Sequence, residues 1–151
     1  MQAPAPAPAQ HEPHAARLVH FFETMTPAAL DRLSEIYTTD CRFKDPFNEV
    51  RGLDAVRRIY SHMYTTLDEP RFEVTHAMTQ DRNCVLTWNF RFRFRRRAEV
   101  QTVHGTSHLV LDADGRIADH RDYWDAAGEF YEKLPLVGGL MRWLRRKVQS
   151  A

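Results

Sequence analysis

Three side chains in this sequence have the types and spacing needed to move protons. His120 and Asp122 stand two apart in the run HRDYWD (120–125). On a strand such residues share a face, about 6.6–6.8 Å apart along the chain, and Trp124 follows on the same face. An imidazole titrates near neutrality and serves as acid or base, and burial raises a carboxylate toward a useful pKa. Asp45, in FKDPF (43–47), is the third. A carboxylate in an apolar site can take a proton from a carbon beside a carbonyl. The competing readings are structural: Asp45 tying down backbone groups beside Pro46, and His120 hydrogen-bonded within a wall.

The elements that must hold these groups follow from periodicity. Leu18, Phe21, Phe22 and Met25 predict a helix over 14–25. Thr26-Pro27 restarts the chain with a good N-cap and a residue suited to the first helical position, predicting a second helix over about 27–37. Residues 40–47 alternate as a short strand that Pro46 ends. Val56, Ile59, Tyr60, Met63 and Tyr64 form the stripe of a third helix, about 53–67. The period then changes from 3.6 to 2. Phe72, Val74, His76 and Met78 are expected on one face of a strand over 71–80. Leu86, Trp88, Phe90, Phe92 and Phe94 line one face of the next, over 84–95, with Asn89, Arg91, Arg93 and Arg95 opposite. Strands over 99–112 and 116–125 flank a turn at Ala113-Asp114-Gly115, and a helix broken near Pro135 and Gly138-Gly139 closes the chain. Helices segregated from an antiparallel meander make the class α+β.

Composition narrows the function. The 151 residues suit one domain, and 43% hydrophobic with 27% charged residues excludes a disordered chain. No run approaches 18 apolar residues, so no membrane-spanning helix is expected. A net charge of +1 is too small for a dedicated duplex-DNA binder, and no nucleic-acid partner is expected. Cys41 and Cys84 are too few for a disulfide framework. With no secretory signal in the Ala/Pro-rich residues 1–13, the expected location is cytoplasmic.

The run YTTDCRFKDPF (37–47), the helix start GLDAVRRIY (52–60), the hairpin GTSHLVLDADGRI (105–117) and HRDYWD, in this order, resemble the nuclear transport factor two-like superfamily, in its SnoaL-like and ketosteroid isomerase-like branch. The resemblance covers roughly residues 14–131 and leaves 132–151 as an appendage. It implies a cone-shaped fold in which a curved antiparallel sheet wraps over three N-terminal helices. It also implies an apolar cone that holds a hydrophobic small molecule, and a homodimer through the sheet. The superfamily hosts isomerases, dehydratases, cyclases, epoxide hydrolases and non-enzymes, so fold alone does not choose.

Carried over by position, Asp45 falls on the general base of ketosteroid isomerases, whose proton chemistry is a well-known worked case. The two oxyanion-hole positions fall on Phe21, which has no donor, and Ser107, a weak one. Losing such donors costs about 10²–10³ each in rate, so steroid isomerisation is not expected. Asp122 matches a catalytic aspartate of limonene epoxide hydrolase-like members. The arginine and second aspartate of that pattern fall on Asn89 and Arg91, and no acid lies between Cys84 and Ala98. Phe43, Tyr60, Tyr64, Trp88, Phe90 and Trp124 are the expected lining of the cone, with core packing as the competing role. The expected function is acid–base catalysis without a cofactor on a hydrophobic metabolite, with Asp45 as the general base and Asp122 or His120 orienting water or serving as the acid: an isomerase, cyclase, dehydratase or hydrolase. The alternative is a non-catalytic lipid-like ligand binder or protein-interaction module.

Eight histidines raise the question of a metal. His104 and His108 are four apart, but on a strand that is about 13 Å, too far for one ion, and no metal is expected. The arginines of 91–97 face away from the phenylalanines and are read as a solvated or dimer-facing side. The tail LPLVGGLMRWLRRKV (134–148) is basic and amphipathic. It can touch an anionic membrane surface, cap the cone or pack on a partner.

Overall fold

The computed structural model describes residues 13–129 and 137–148. The Ala/Pro-rich arm, apart from Pro13, and the break at Pro135 lie outside the described residues. Helix α1 (Pro13–Thr24) buries Ala15, Leu18 and Phe22. Thr26 is extended at the N-cap position of the next segment, Pro27–Glu35, but its hydroxyl makes no capping bond. This segment is 3₁₀ rather than α-helical, two short turns joined at a kink at Arg32. Strand β1 (Tyr37–Lys44) starts directly after it and leads through a turn to the short β2 (Glu49–Arg51). Helix α2 (Leu53–Thr66) buries Val56 and Tyr60. Strands β3 (Leu67–Gln80), β4 (Asn83–Phe94), β5 (Val100–Leu111) and β6 (Ile117–Trp124) follow in hairpin succession. The short α3 (Ala126–Glu129) and α4 (Val137–Val148) end the described chain. No described helix is long and apolar enough to cross a membrane.

The architecture is the expected α+β arrangement, a curved six-stranded sheet with helices packed on it, in the order β2-β1-β6-β5-β4-β3. The meander β3–β6 is antiparallel throughout, while β1 joins β6 in parallel, with Phe43 opposite His120. That pairing carries β1, from the N-terminal half, to the far side of β6 and closes the wall around the core. Both cysteines are buried.

Strand β3 departs from simple alternation. Val74 pairs with Trp88 and His76 with Thr87, so Thr75 is an extra, bulged residue. Its hydroxyl is held by Thr87. Beyond the bulge the faces exchange: Ala77 is buried, while His76 is exposed and Met78 is 58% exposed. The expectation that Phe72, Val74, His76 and Met78 share one face is therefore corrected: only Phe72 and Val74 do. Strand β4 keeps the predicted alternation. On its outer face Arg91 pairs with Glu73 at 3.3 Å and Arg93 with Glu69 at 2.8 Å.

The β5–β6 turn locks α1 to the sheet. Arg17 donates to the carbonyls of Glu35 and Gly115, both at 2.8 Å. Gly115 has φ +79°, and a Cβ there would lie 2.1 Å from the His14 ring. Left-handed strain and a clash then act together. Gly115→Ala is expected to lower stability by about 1–3 kcal/mol, read as a lower urea midpoint at unchanged slope.

Candidate functional site

Register places the polar groups in rows across the inner face of the sheet. Asp122 pairs with Ser107, Ser107 with Leu86, and Leu86 with Ala77, one row over four strands. The adjacent row is Trp124, Gly105, Trp88 and Val74. Gly105 has a specific job there. A Cβ on it would lie 2.2–2.6 Å from three carbons of the Trp88 ring, so the indole lies across a bare backbone. From that position Trp88 Nε1 donates to Ser107 Oγ at 2.8 Å.

The row continues into a buried chain of hydrogen bonds. Ser107 Oγ donates to Asp122 Oδ1 at 2.5 Å. His120 Nε2 lies 2.7 Å from the same oxygen. On the other side of the ring, His120 Nδ1 lies 2.8 Å from the Tyr37 hydroxyl, which lies 2.8 Å from the Tyr60 hydroxyl. Phe43 packs on the imidazole at 4.6 Å between ring centres and Phe22 approaches it edge-on at 6.0 Å. The side chain of His120 is 3% exposed and that of Asp122 16%. Its other oxygen, Oδ2, accepts no hydrogen bond from a described residue.

The chain borders two spaces. Inside the cone, Phe22, Phe72, Trp88, Tyr60, His120 and Asp122 surround about 30 Å³. That is the volume of one water, far below the roughly 300–1,000 Å³ of a small-molecule site. Aromatic packing fills the remainder: Phe72 stacks on Phe90 at 4.5 Å and meets Trp88 edge-on at 5.6 Å. The interior is therefore not the open ligand-holding cone that was expected. Where β1 leaves β6, beyond the Lys44–Arg121 pair, a second hollow of about 510 Å³ lies between Asp45-Pro46 and residues 121–124. Asp122 lines both spaces. Trp124 walls the outer one, with Phe47 packed edge-on against it at 5.3 Å.

The other predicted residues take different places. Asp45 holds its own turn: its Oδ1 accepts the backbone N–H groups of Phe47 and Asn48 at 2.7 and 2.6 Å. The Asn48 side-chain amide contacts both of its carboxylate oxygens. Asp45 thus stands at the rim of the outer hollow, outside the buried chain. Phe21 faces a groove between α1 and the 3₁₀ segment, and Phe22 takes the inward position expected of it. The Tyr64 hydroxyl donates to the Met25 carbonyl and does not reach the cavity. Asn89 and Arg91 lie on the outer face of β4, bonded to His104 and Glu73, so neither reaches Asp122. No group of three His, Cys, Asp or Glu side chains suited to a metal occurs among the described residues. Tyr37, which falls within the helix expected over about 27–37, instead opens β1 and joins the site, a role its local spacing does not signal.

Burial sets the ionisation of the two chain tyrosines. It pushes Tyr37 well above its ordinary 10.0, helped by the Tyr60 hydroxyl and the Asp122 charge. It pushes Tyr60 far up as well, helped by Asp122. Both hydroxyls stay protonated at pH values where an unfolded chain ionises them. Above about pH 10 the unfolded chain holds fewer protons than the folded one, so stability falls as pH rises. Tyr60→Phe removes one of the two groups. Its urea midpoints, followed between about pH 8 and 11, are expected to fall less steeply than those of the unaltered chain; equal slopes would contradict this account.

With this geometry in place, comparisons with known proteins locate the chain. The model of the SnoaL-like domain matches residues 18–120, more than half of the sequence. No curated protein matches. Among solved structures, an epoxide hydrolase from M. tuberculosis, described as LEH-like, shares 18% identity and superposes with a TM-score of 0.64, over 89% of this chain and 95% of its own. A nuclear transport factor two-like protein of unknown function from Burkholderia pseudomallei shares 17% identity with a TM-score of 0.67, over 78% and 95%. A candidate SnoaL-like polyketide cyclase from Shewanella denitrificans shares 18% identity with a TM-score of 0.62, over 76% and 92%. At these identities the structures speak for the fold alone. The family match, extending over the helices, the β1 turn and the meander up to His120, places this chain in the SnoaL-like family.

Proposed function

We propose that this SnoaL-like protein is an acid–base enzyme that needs no cofactor and acts on a hydrophobic small molecule, with Asp122 as the base. One observation carries the reading. Asp122 Oδ1 is anchored by Ser107 and His120, while Oδ2 makes no hydrogen bond to a described residue, at the junction of a water-sized cavity and an outer hollow. A carboxylate held by one oxygen keeps the other oriented toward a substrate, and orientation is a large part of general-base catalysis. The substrate sits in the outer hollow against Trp124 and Pro46, since about 30 Å³ inside admits no metabolite. Oδ2 takes a proton from a carbon beside a carbonyl, or from a water that attacks the substrate, and returns it to the product. Cyclisation, isomerisation, dehydration and hydrolysis all need this one transfer. The neighbours described as a candidate polyketide cyclase and an epoxide hydrolase fit the same chemistry.

Asp45, the other candidate base, has both oxygens engaged by Asn48 and serves the turn. A second reading, a non-catalytic binding module that pairs with a second copy through the sheet, is favoured by the aromatic filling of the cone.

The test follows proton transfer rather than a particular product. A 1,3-dicarbonyl probe and an epoxide panel are incubated with the protein in deuterated water, and deuterium incorporation and ring opening are followed. Asp122→Asn keeps an acceptor for Ser107 and His120, so it is expected to fold normally and to lose about 10²–10⁴ in rate. Asp45→Ala is expected to cost about 1 kcal/mol of stability and to leave the rate within a few-fold. Unchanged rates in Asp122→Asn would remove Asp122 as base. No turnover by the unaltered protein, with Asp122→Asn merely lowering the melting temperature, would favour the binding module.

A further inference from the structure

The buried chain from Tyr60 to Asp122 has a direction, and a count of its hydrogens sets it. The donors are Trp88 Nε1–H, Ser107 O–H, Tyr37 O–H, Tyr60 O–H and one imidazole N–H. Suppose the imidazole hydrogen is on Nε2. His120 then donates to Asp122 Oδ1, Tyr37 donates to the bare Nδ1, and Tyr60 donates to the Tyr37 oxygen. Ser107 and Trp88 complete the set, and all five donors are used. Suppose instead that it is on Nδ1. The Nε2 lone pair then faces Asp122 Oδ1 at 2.7 Å, two acceptors in contact, and Tyr37 must turn its hydrogen to Tyr60. The hydrogen of Tyr60 is left without an acceptor among the described residues. An imidazolium mends the first fault and keeps the second. Unpaired groups at such depth are costly, so only the first arrangement satisfies the chain from its own side chains; an imidazolium would need a water in the small cavity that Tyr60 also lines.

We infer that Tyr37, backed by Tyr60, is a positioning residue that holds His120 in its Nε2–H tautomer, so that the imidazole always offers Asp122 a donor. Tyr37 touches no reacting atom; it acts through His120, as the outer partner of a histidine commonly fixes which ring nitrogen carries the proton. The other titratable groups around the chain are Asp122 itself, Cys41 near Tyr37, and Asp45 and Tyr64 near Tyr60. Helix α1 and strand β3 contribute only the apolar Phe22, Phe72 and Val74. The catalytic consequence rests on the proposed role of Asp122; the tautomer itself does not.

The experiment is ¹⁵N NMR of the imidazole nitrogens in the full chain at neutral pH, with His120 assigned by the signal lost in His120→Asn. The unaltered protein is expected to show His120 with a protonated Nε2 and a bare Nδ1. Tyr60→Phe is expected to keep that tautomer, because Tyr37 still donates. Tyr37→Phe is expected to lose the single form and to lower kcat in the deuterium assay roughly tenfold at little-changed KM. A protonated Nδ1 in the unaltered protein, or an unchanged His120 spectrum in Tyr37→Phe, overturns the inference. If Tyr37→Phe does not fold, the spectra of the unaltered protein and Tyr60→Phe still decide it. If the tautomer is as expected but Asp122→Asn keeps full activity, the proposed base fails and the positioning role of Tyr37 on His120 stands.

Discussion

The interaction on which the rest of this structure depends is the burial of an imidazole in an aromatic core. His120 is surrounded by Phe22, Phe43, Tyr37 and Asp122, and both of its nitrogens must find partners there or impose a desolvation cost. Each partner comes from a different constraint. Tyr37 arrives because β1 joins β6 in parallel. Asp122 arrives because it stands two residues along the same strand. Ser107 arrives because β5 is in register with β6. The core and the candidate site are therefore one object, and the apolar packing sets the polar geometry.

The same packing decides where space remains. A cone filled by Phe22, Phe72, Trp88 and Phe90 leaves room for a water, and the larger hollow lies where β1 turns away. Asp122 is the group common to both spaces. The hydrogen-bonded chain anchors one of its carboxylate oxygens, and the other accepts no hydrogen bond from a described residue. Gly105 supports that chain without joining it, by letting the Trp88 indole lie flat and reach Ser107.

Asp45 and Asp122 show how two carboxylates in similar sequence surroundings part company. Asp45 stands beside a proline at a strand end, where backbone N–H groups lack partners, and its oxygens are taken up by Phe47 and Asn48. Asp122 lies inside a strand whose backbone is already paired, so its side chain is free for other contacts. The backbone's own need for acceptors assigns the two roles.

Much of this was legible in the residues themselves. The α+β class, the succession of elements, the inward face of β4 and the common face of His120 and Asp122 all follow from periodicity, because a helix or strand face is set by spacing along the chain. What spacing does not carry is an inserted residue or a contact between distant segments. The bulge at Thr75 reversed the second half of β3. The 3₁₀ segment ended early and gave Tyr37 to a strand. Phe22, not Phe21, turned inward. The parallel β1–β6 pairing brought Tyr37, 83 residues away in sequence, to within 2.8 Å of His120. Spacing along the chain fixes which side chains can share a strand or helix face. Which of them meet is settled in three dimensions, because hydrogen bonds and packing act through space and depend on register, bulges and strand order that no local pattern specifies.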